Sequence, residues 1–140
     1  MAGYSGTPLI KKLGIKPGFC LTFVNAPPDF VRALDLPPET IVQSPAAHQP
    51  LDFVLLFVKS QEELATKFPL SAARLKPAGM LWVSWPKKSS GVESDLTENV
   101  VRDIGLSAGL VDIKVCAVDD VWSGLKFVFR LKDRPKLRAR

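Results

Sequence analysis

Residues 51–58 read Leu-Asp-Phe-Val-Leu-Leu-Phe-Val, eight positions with Asp52 as the single polar side chain. A strand with one wet face alternates apolar and polar residues. A near-continuous apolar run instead has both faces covered, as in a parallel sheet flanked by helices. Residues 19–24 (Phe-Cys-Leu-Thr-Phe-Val) and 80–85 (Met-Leu-Trp-Val-Ser-Trp) have the same character. Parallel neighbours need long crossovers, so three such runs separated by helical stretches predict an α/β chain.

The intervening stretches carry helix signals. Thr7-Pro8 suits a helix start and Gly14 its stop, with Leu9, Ile10 and Leu13 on the apolar side. A short helix is expected over 30–34, ended by Leu36-Pro37-Pro38. A short strand is expected over 40–43. Ser60-Gln-Glu-Glu63 is a capping box for a helix that turns Leu64 and Phe68 inward. Pro69 should kink or restart that helix, with Leu70 and Leu75 continuing its apolar face. Asp95 and Glu98 predict another cap ahead of a Leu96, Val100, Val101, Ile104 stripe, with Gly105 and Gly109 marking the exit.

Two further strands are predicted at 111–118 and 125–131. Their six-residue connection is too short for a parallel crossover, so they must be antiparallel. The expected fold is therefore a small doubly wound, mostly parallel α/β sheet of Rossmann-like type. It has three layers (αβα), and a C-terminal antiparallel hairpin closes it. One domain over 1–132 is expected, followed by a basic, flexible tail over 133–140.

Charge is unevenly placed. The net charge is +5, yet residues 130–140 alone hold six basic residues and one acid, so residues 1–129 are neutral. A basic tail attracts phosphates, which makes a nucleic-acid accessory role one reading; a solubilising end is the other. Cys20 and Cys116 lie in apolar strand-like runs and read as buried free thiols. The one histidine, His48, sits in a proline-rich loop, and no closely spaced Cys or His pair offers metal-ligand spacing. No Ser/His/Asp or Cys/His arrangement can be drawn. No apolar run approaches the ~20 residues of a membrane span, and the first residues lack the pattern of a secretory signal. A cytoplasmic protein with no membrane partner is expected.

In open α/β sheets, ligands bind at the carboxyl ends of the strands. The strand at 80–85 breaks into Trp85-Pro-Lys-Lys-Ser-Ser-Gly91. Lys87, Lys88, Ser89 and Ser90 there could hold a phosphate or carboxylate, with Trp85 beside them and Asn25 across the rim at the end of the first strand. The competing reading is a solvated loop before a capped helix. Trp82 and Trp85, three apart, should face opposite sides of the sheet. Asp119, Asp120, Trp122 and Ser123, in the last connection, form a second polar-aromatic concentration. Paired carboxylates could do acid–base work, but turns favour Asp for their own geometry. Lys114, inside an otherwise apolar strand, calls for a partner, with Asp112 or Asp119 in reach.

The order of elements resembles a trimmed class I methyltransferase. Leu51-Asp-Phe-Val-Leu-Leu-Phe57 is similar to that family's fourth strand, and Leu75-Lys-Pro-Ala-Gly-Met-Leu-Trp-Val83 to the approach and start of its fifth. The last hairpin matches its final two strands. Its glycine-rich S-adenosylmethionine loop is replaced here by Asn25-Ala-Pro-Pro-Asp29, and Gln43-Ser44 stand where an acid would hold the ribose. The resemblance therefore implies the architecture without the cofactor. Gly3-Tyr-Ser-Gly-Thr-Pro-Leu9, Trp85-Pro-Lys-Lys88, Asp95-Leu-Thr-Glu98, Lys114-Val-Cys-Ala-Val-Asp119 and Trp122-Ser-Gly-Leu125 are also similar to a bacterial family of small proteins of unknown function.

These observations favour a non-catalytic protein without a cofactor, binding a small anionic ligand or a protein partner at the strand ends. The alternatives are an enzyme related to S-adenosylmethionine-dependent methyltransferases with a non-standard cofactor site, and a nucleic-acid accessory protein.

Overall fold

The computed structural model describes residues 8–133. Six strands form one sheet: β1 (Cys20–Val24), β2 (Ile41–Val42), β3 (Leu51–Phe57), β4 (Leu75–Pro86), β5 (Leu110–Ala117) and β6 (Trp122–Phe129). Their spatial order is β2-β1-β3-β4-β6-β5. The first four are mutually parallel, and β6 runs antiparallel to both β4 and β5. The helices are α1 (Leu9–Leu13), α2 (Gln61–Ala72) and α3 (Glu98–Ser107). The mostly parallel α/β sheet with a C-terminal hairpin is thus as the sequence predicts. No described helix is long and apolar enough to cross a membrane.

The continuous apolar runs are continuous because both faces of the sheet are covered. On one face Leu51, Val54, Leu56, Val83 and Trp85 pack under α2 and α3, which contribute Leu64, Phe68 and Val101. On the other, Phe23, Phe53, Leu55, Phe57 and Trp82 pack under α1 and the turns after β1. Trp82 and Trp85 do face opposite sides, at 0% and 5% exposure. The Trp82 indole donates to the Leu13 carbonyl at 2.9 Å, fixing α1 to the centre of the sheet. Gly14 ends α1 in the left-handed conformation (φ 82°). The expected cap at Thr7 lies outside the described residues.

Several local expectations are overturned by tertiary packing. Residues 30–34 form successive turns rather than a helix, held by the amides of Phe30, Ala33 and Leu34 bonding back to Pro27, Asp29 and Val31. Phe30 is drawn into edge contact with Phe23 and Phe57, which anchors these turns without a helical ladder. Pro69 does not restart α2, whose helical residues run unbroken through it. It falls in the last turn, where only three helical residues follow it and the Ala73 amide still bonds back to the Pro69 carbonyl. Leu70 is 67% exposed rather than inward, since Leu64, Phe68 and Ala72 occupy the buried stripe. Gly105 does not end α3 but lies buried within it, against the ring of Phe127. β4 begins at Leu75, five residues earlier than expected, with a register irregularity where Leu51 pairs with Leu75 and Phe53 with Met80.

Candidate functional site

The carboxyl ends of β1, β3 and β4 share one rim. At Asn25 the backbone enters the left-handed region (φ 60°), which Asn tolerates better than most residues. Its Nδ2 donates to Glu63 Oε2 at 3.0 Å and weakly to the Phe57 carbonyl at 3.4 Å. Glu63 also accepts from the Lys59 amide at 3.1 Å, and Ser60 caps the Glu63 amide. The capping box is therefore real, but its glutamate serves the residue before the cap and reaches across to β1. β1 and β3 are the adjacent strands at which the connections turn to opposite sides, the place where doubly wound sheets hold ligands. Here that place is bridged by protein groups that satisfy one another.

Two strands away, β4 ends in a groove of about 460 Å³. Trp85, Pro86, Lys87 and Lys88 form one wall, Leu96, Thr97 and Glu98 the other, with Ser123 of β6 at its end. The Lys87 amide donates to the Val121 carbonyl at 2.7 Å, which pins the loop to the last hairpin. A short 3-10 turn (Lys88–Ser90) follows; Ser90 Oγ donates to the Lys87 carbonyl at 2.6 Å and accepts from Val92 N. Ser90 thus shapes the loop, and Ser89 is exposed. α3 opens on Thr97, whose hydroxyl accepts from the Val100 amide.

The expected Asp95 cap serves a different helix. Asp95 Oδ1 accepts from the Gln61 amide at 2.8 Å, in the first turn of α2, and its carbonyl accepts from the Gln61 side chain. The groove wall is in this way fastened to the start of α2. Glu98 pairs with Arg102 at 2.7 Å, and Arg102 also bonds Asp112 at 2.8 Å. These two acceptors raise the Arg102 pKa above its ordinary value.

The sequence-selected residues are only partly brought together. Trp85, Lys87 and Lys88 share the groove, whereas Asn25 closes the β1–β3 position. Asp119 accepts from the amides of Val121 and Trp122, both at 2.8 Å, and so makes the turn. Trp122, 8% exposed, goes to the α1 face and meets Phe57 edge-on at 5.0 Å. Lys114 pairs with neither Asp112 nor Asp119. It lies exposed on the edge strand and donates to the Lys12 carbonyl at 3.1 Å, at the end of α1. Leu96 and Glu98 read from sequence only as part of a helix start, with its cap placed two residues early, and Ser123 only with the last turn; the structure brings all three, with Thr97, to the groove. Cys20 and Cys116 are free and half-buried, and burial pushes the Cys116 thiol pKa up against the pull of Lys12 and Lys114. No group of described residues has the makings of a metal site. The basic tail beyond Asp133 lies outside the described residues.

Neither protein-family models nor curated proteins match the sequence. Solved structures do match in shape. A SAM-dependent methyltransferase from Aquifex aeolicus superposes with a TM-score of 0.62 at 16% identity, over 85% of this chain and 86% of that one. Magnesium protoporphyrin IX methyltransferase from Synechocystis PCC 6803, with bound SAH, gives 0.57 at 10% identity over 87% and 78%. A fibrillarin pre-rRNA processing protein from Methanococcus jannaschii gives 0.53 at 11% over 82% and 68%. At these identities the likeness is one of fold, and the fold is methyltransferase-like.

The residues present do not suit S-adenosylmethionine held in that family's way. The turn after β1 offers Pro27 and Pro28, which have no N–H, in place of glycine amides. At the end of β2 the Gln43 carbonyl accepts the Thr22 hydroxyl, and Ser44 Oγ accepts from Ala46 N.

Proposed function

We propose that this chain is a non-catalytic binding protein on a methyltransferase-like scaffold, holding a small anionic ligand in the groove at the end of β4. One observation carries the reading. The groove's carboxylates are engaged, Glu98 by Arg102 and Asp95 by the Gln61 amide. Lys87 and Lys88 have no ion-pair partner among the described residues. An anion entering there meets two ammonium groups that no carboxylate holds, beside the first turn of α3. Titration calorimetry of the full chain with inorganic phosphate and with pyrophosphate tests it. Saturable binding should weaken about tenfold in Lys87→Gln/Lys88→Gln, since a charge-assisted contact contributes about 1.5–3 kcal/mol. Absent binding, or binding indifferent to that change, overturns the reading.

The fold likeness favours a second reading, an enzyme related to S-adenosylmethionine-dependent methyltransferases with the cofactor held otherwise. Calorimetry with S-adenosylmethionine separates the two: heat of binding supports it, and none at about millimolar concentration removes it.

A further inference from the structure

A second cavity, sharing no lining residue with the β4 groove, lies under the last turns of α2. Its floor is the sheet, with Thr22 and Val24 of β1 beside Leu51 and Val54 of β3; Pro45, after β2, closes one side. Its volume is about 180 Å³, close to that of an apolar cavity of roughly 150 Å³ that accommodates a benzene ring. The wall is cationic. Lys67, Ser71 and Arg74 recur at i, i+4 and i+7 along α2 and its exit, so they present on one side.

Arg74 is the informative residue. Its Nη1 donates to the Pro45 carbonyl at 2.9 Å and to the Ser44 carbonyl at 3.4 Å, which holds the guanidinium in place. Its Nε and Nη2 are buried and have no hydrogen-bond partner among the described residues. With almost no accessible surface on either nitrogen, that edge of the guanidinium is closed by protein atoms, and the residue meets the cavity elsewhere. Lys67 likewise has no carboxylate partner among the described residues, and no acid lines the cavity.

From this geometry we infer that the cavity is a site for a compact apolar monocarboxylate, its ring-sized body on Val24 and Val54 and its carboxylate at the cationic wall formed by Arg74 and Lys67. Lys67 supplies the second positive charge and Ser71 a hydroxyl at the same end. The apolar floor selects against a bare inorganic anion, and the charge selects against a neutral ring of the same size.

The test is a two-dimensional amide NMR titration of the labelled full chain with benzoate, with benzyl alcohol as the neutral control and inorganic phosphate as the anion without a body. Benzoate should give saturable shifts centred on Thr22, Ser71 and Arg74, with little response at those residues to either control; phosphate shifts confined to Lys87 and Lys88 belong to the other groove. Arg74→Gln should weaken binding about tenfold or more, the loss expected for a charge-assisted pair. Lys67→Gln, at a partly exposed position, should weaken it several-fold with an unchanged spectrum elsewhere. That second variant decides the matter if Arg74→Gln does not fold. Shifts equal for benzoate and benzyl alcohol, shifts centred on Trp85 and Lys87, no saturation by about 10 mM, or affinity unchanged in Lys67→Gln would each overturn the assignment.

Discussion

Asn25 Nδ2 donates to Glu63 Oε2 at 3.0 Å, joining the end of β1 to the first turn of α2 across 38 residues of chain. Where a cofactor would rest in a sheet of this kind, a side-chain amide and a carboxylate instead satisfy each other. The bond also holds a residue with positive φ in place.

Substituting Asn25 separates those two contributions. Asn25→Gly loses the side-chain bonds but keeps the backbone relaxed, and should cost about 0.5–1.5 kcal/mol of stability. Asn25→Ala loses the same bonds and adds a left-handed penalty, so it should fall below the glycine variant by about 1 kcal/mol. Urea denaturation of both variants checks the order; equal stabilities would show that the backbone at 25 relaxes.

Gly105 lies against Phe127 so closely that a Cβ added there would collide with the ring. Phe127 is held in turn by Phe68, edge-on at 5.1 Å, so it has little room to move. Alanine ordinarily favours a helix over glycine by about 1 kcal/mol. Gly105→Ala should nevertheless destabilise by about 1–3 kcal/mol, because overpacking outweighs propensity. A raised melting temperature would refute this.

Ser84 is fully buried in β4, and its hydroxyl has no hydrogen-bond partner among the described residues. Removing an unsatisfied buried polar atom relieves its desolvation penalty. Ser84→Ala should therefore raise stability by up to about 1 kcal/mol in chemical denaturation. A loss would show that the hydroxyl has an acceptor in solution.

Lys114 and Lys126 stand directly opposite each other on β5 and β6, a pairing that like charges disfavour. Burial, then Lys114 and Lys16, lower the Lys126 pKa from the ordinary 10.5. A depressed lysine pKa means the fold binds its proton less tightly than the unfolded chain does. The wild type therefore gains stability as pH rises through the folded value toward 10.5. Lys126→Met should melt higher than the wild type at pH 7, with the gap narrowing as the pH approaches that range. Melting curves at several pH values test it, and a gap independent of pH would contradict the linkage.

Much of this molecule is legible in residue order. The runs at 19–24, 51–58 and 80–85 become β1, β3 and β4 because an unbroken apolar run has few alternatives to a doubly covered strand. The short connection before Trp122 forces the last hairpin to be antiparallel, and Asp119 makes its turn as Asp usually does. The site was legible only in part. Trp85, Lys87 and Lys88 follow from the strand's end, but the opposite wall of their groove comes from the start of α3. Asn25 and Trp122 are near neighbours of the rim in sequence logic and yet turn to different partners.

The sequence by itself determined the strands, their sense, and the absence of a glycine turn after β1, since these depend on periodicity, loop length and residue type over a few positions. Tertiary structure alone decided that Asp95 caps α2, that Lys114 reaches the end of α1, that Leu70 faces water and that Arg74 is anchored on the carbonyls of Ser44 and Pro45. Each of those outcomes depends on which surfaces meet after the sheet has formed. A side chain selects among partners tens of residues away by proximity and burial, and neither quantity exists until the layers are packed.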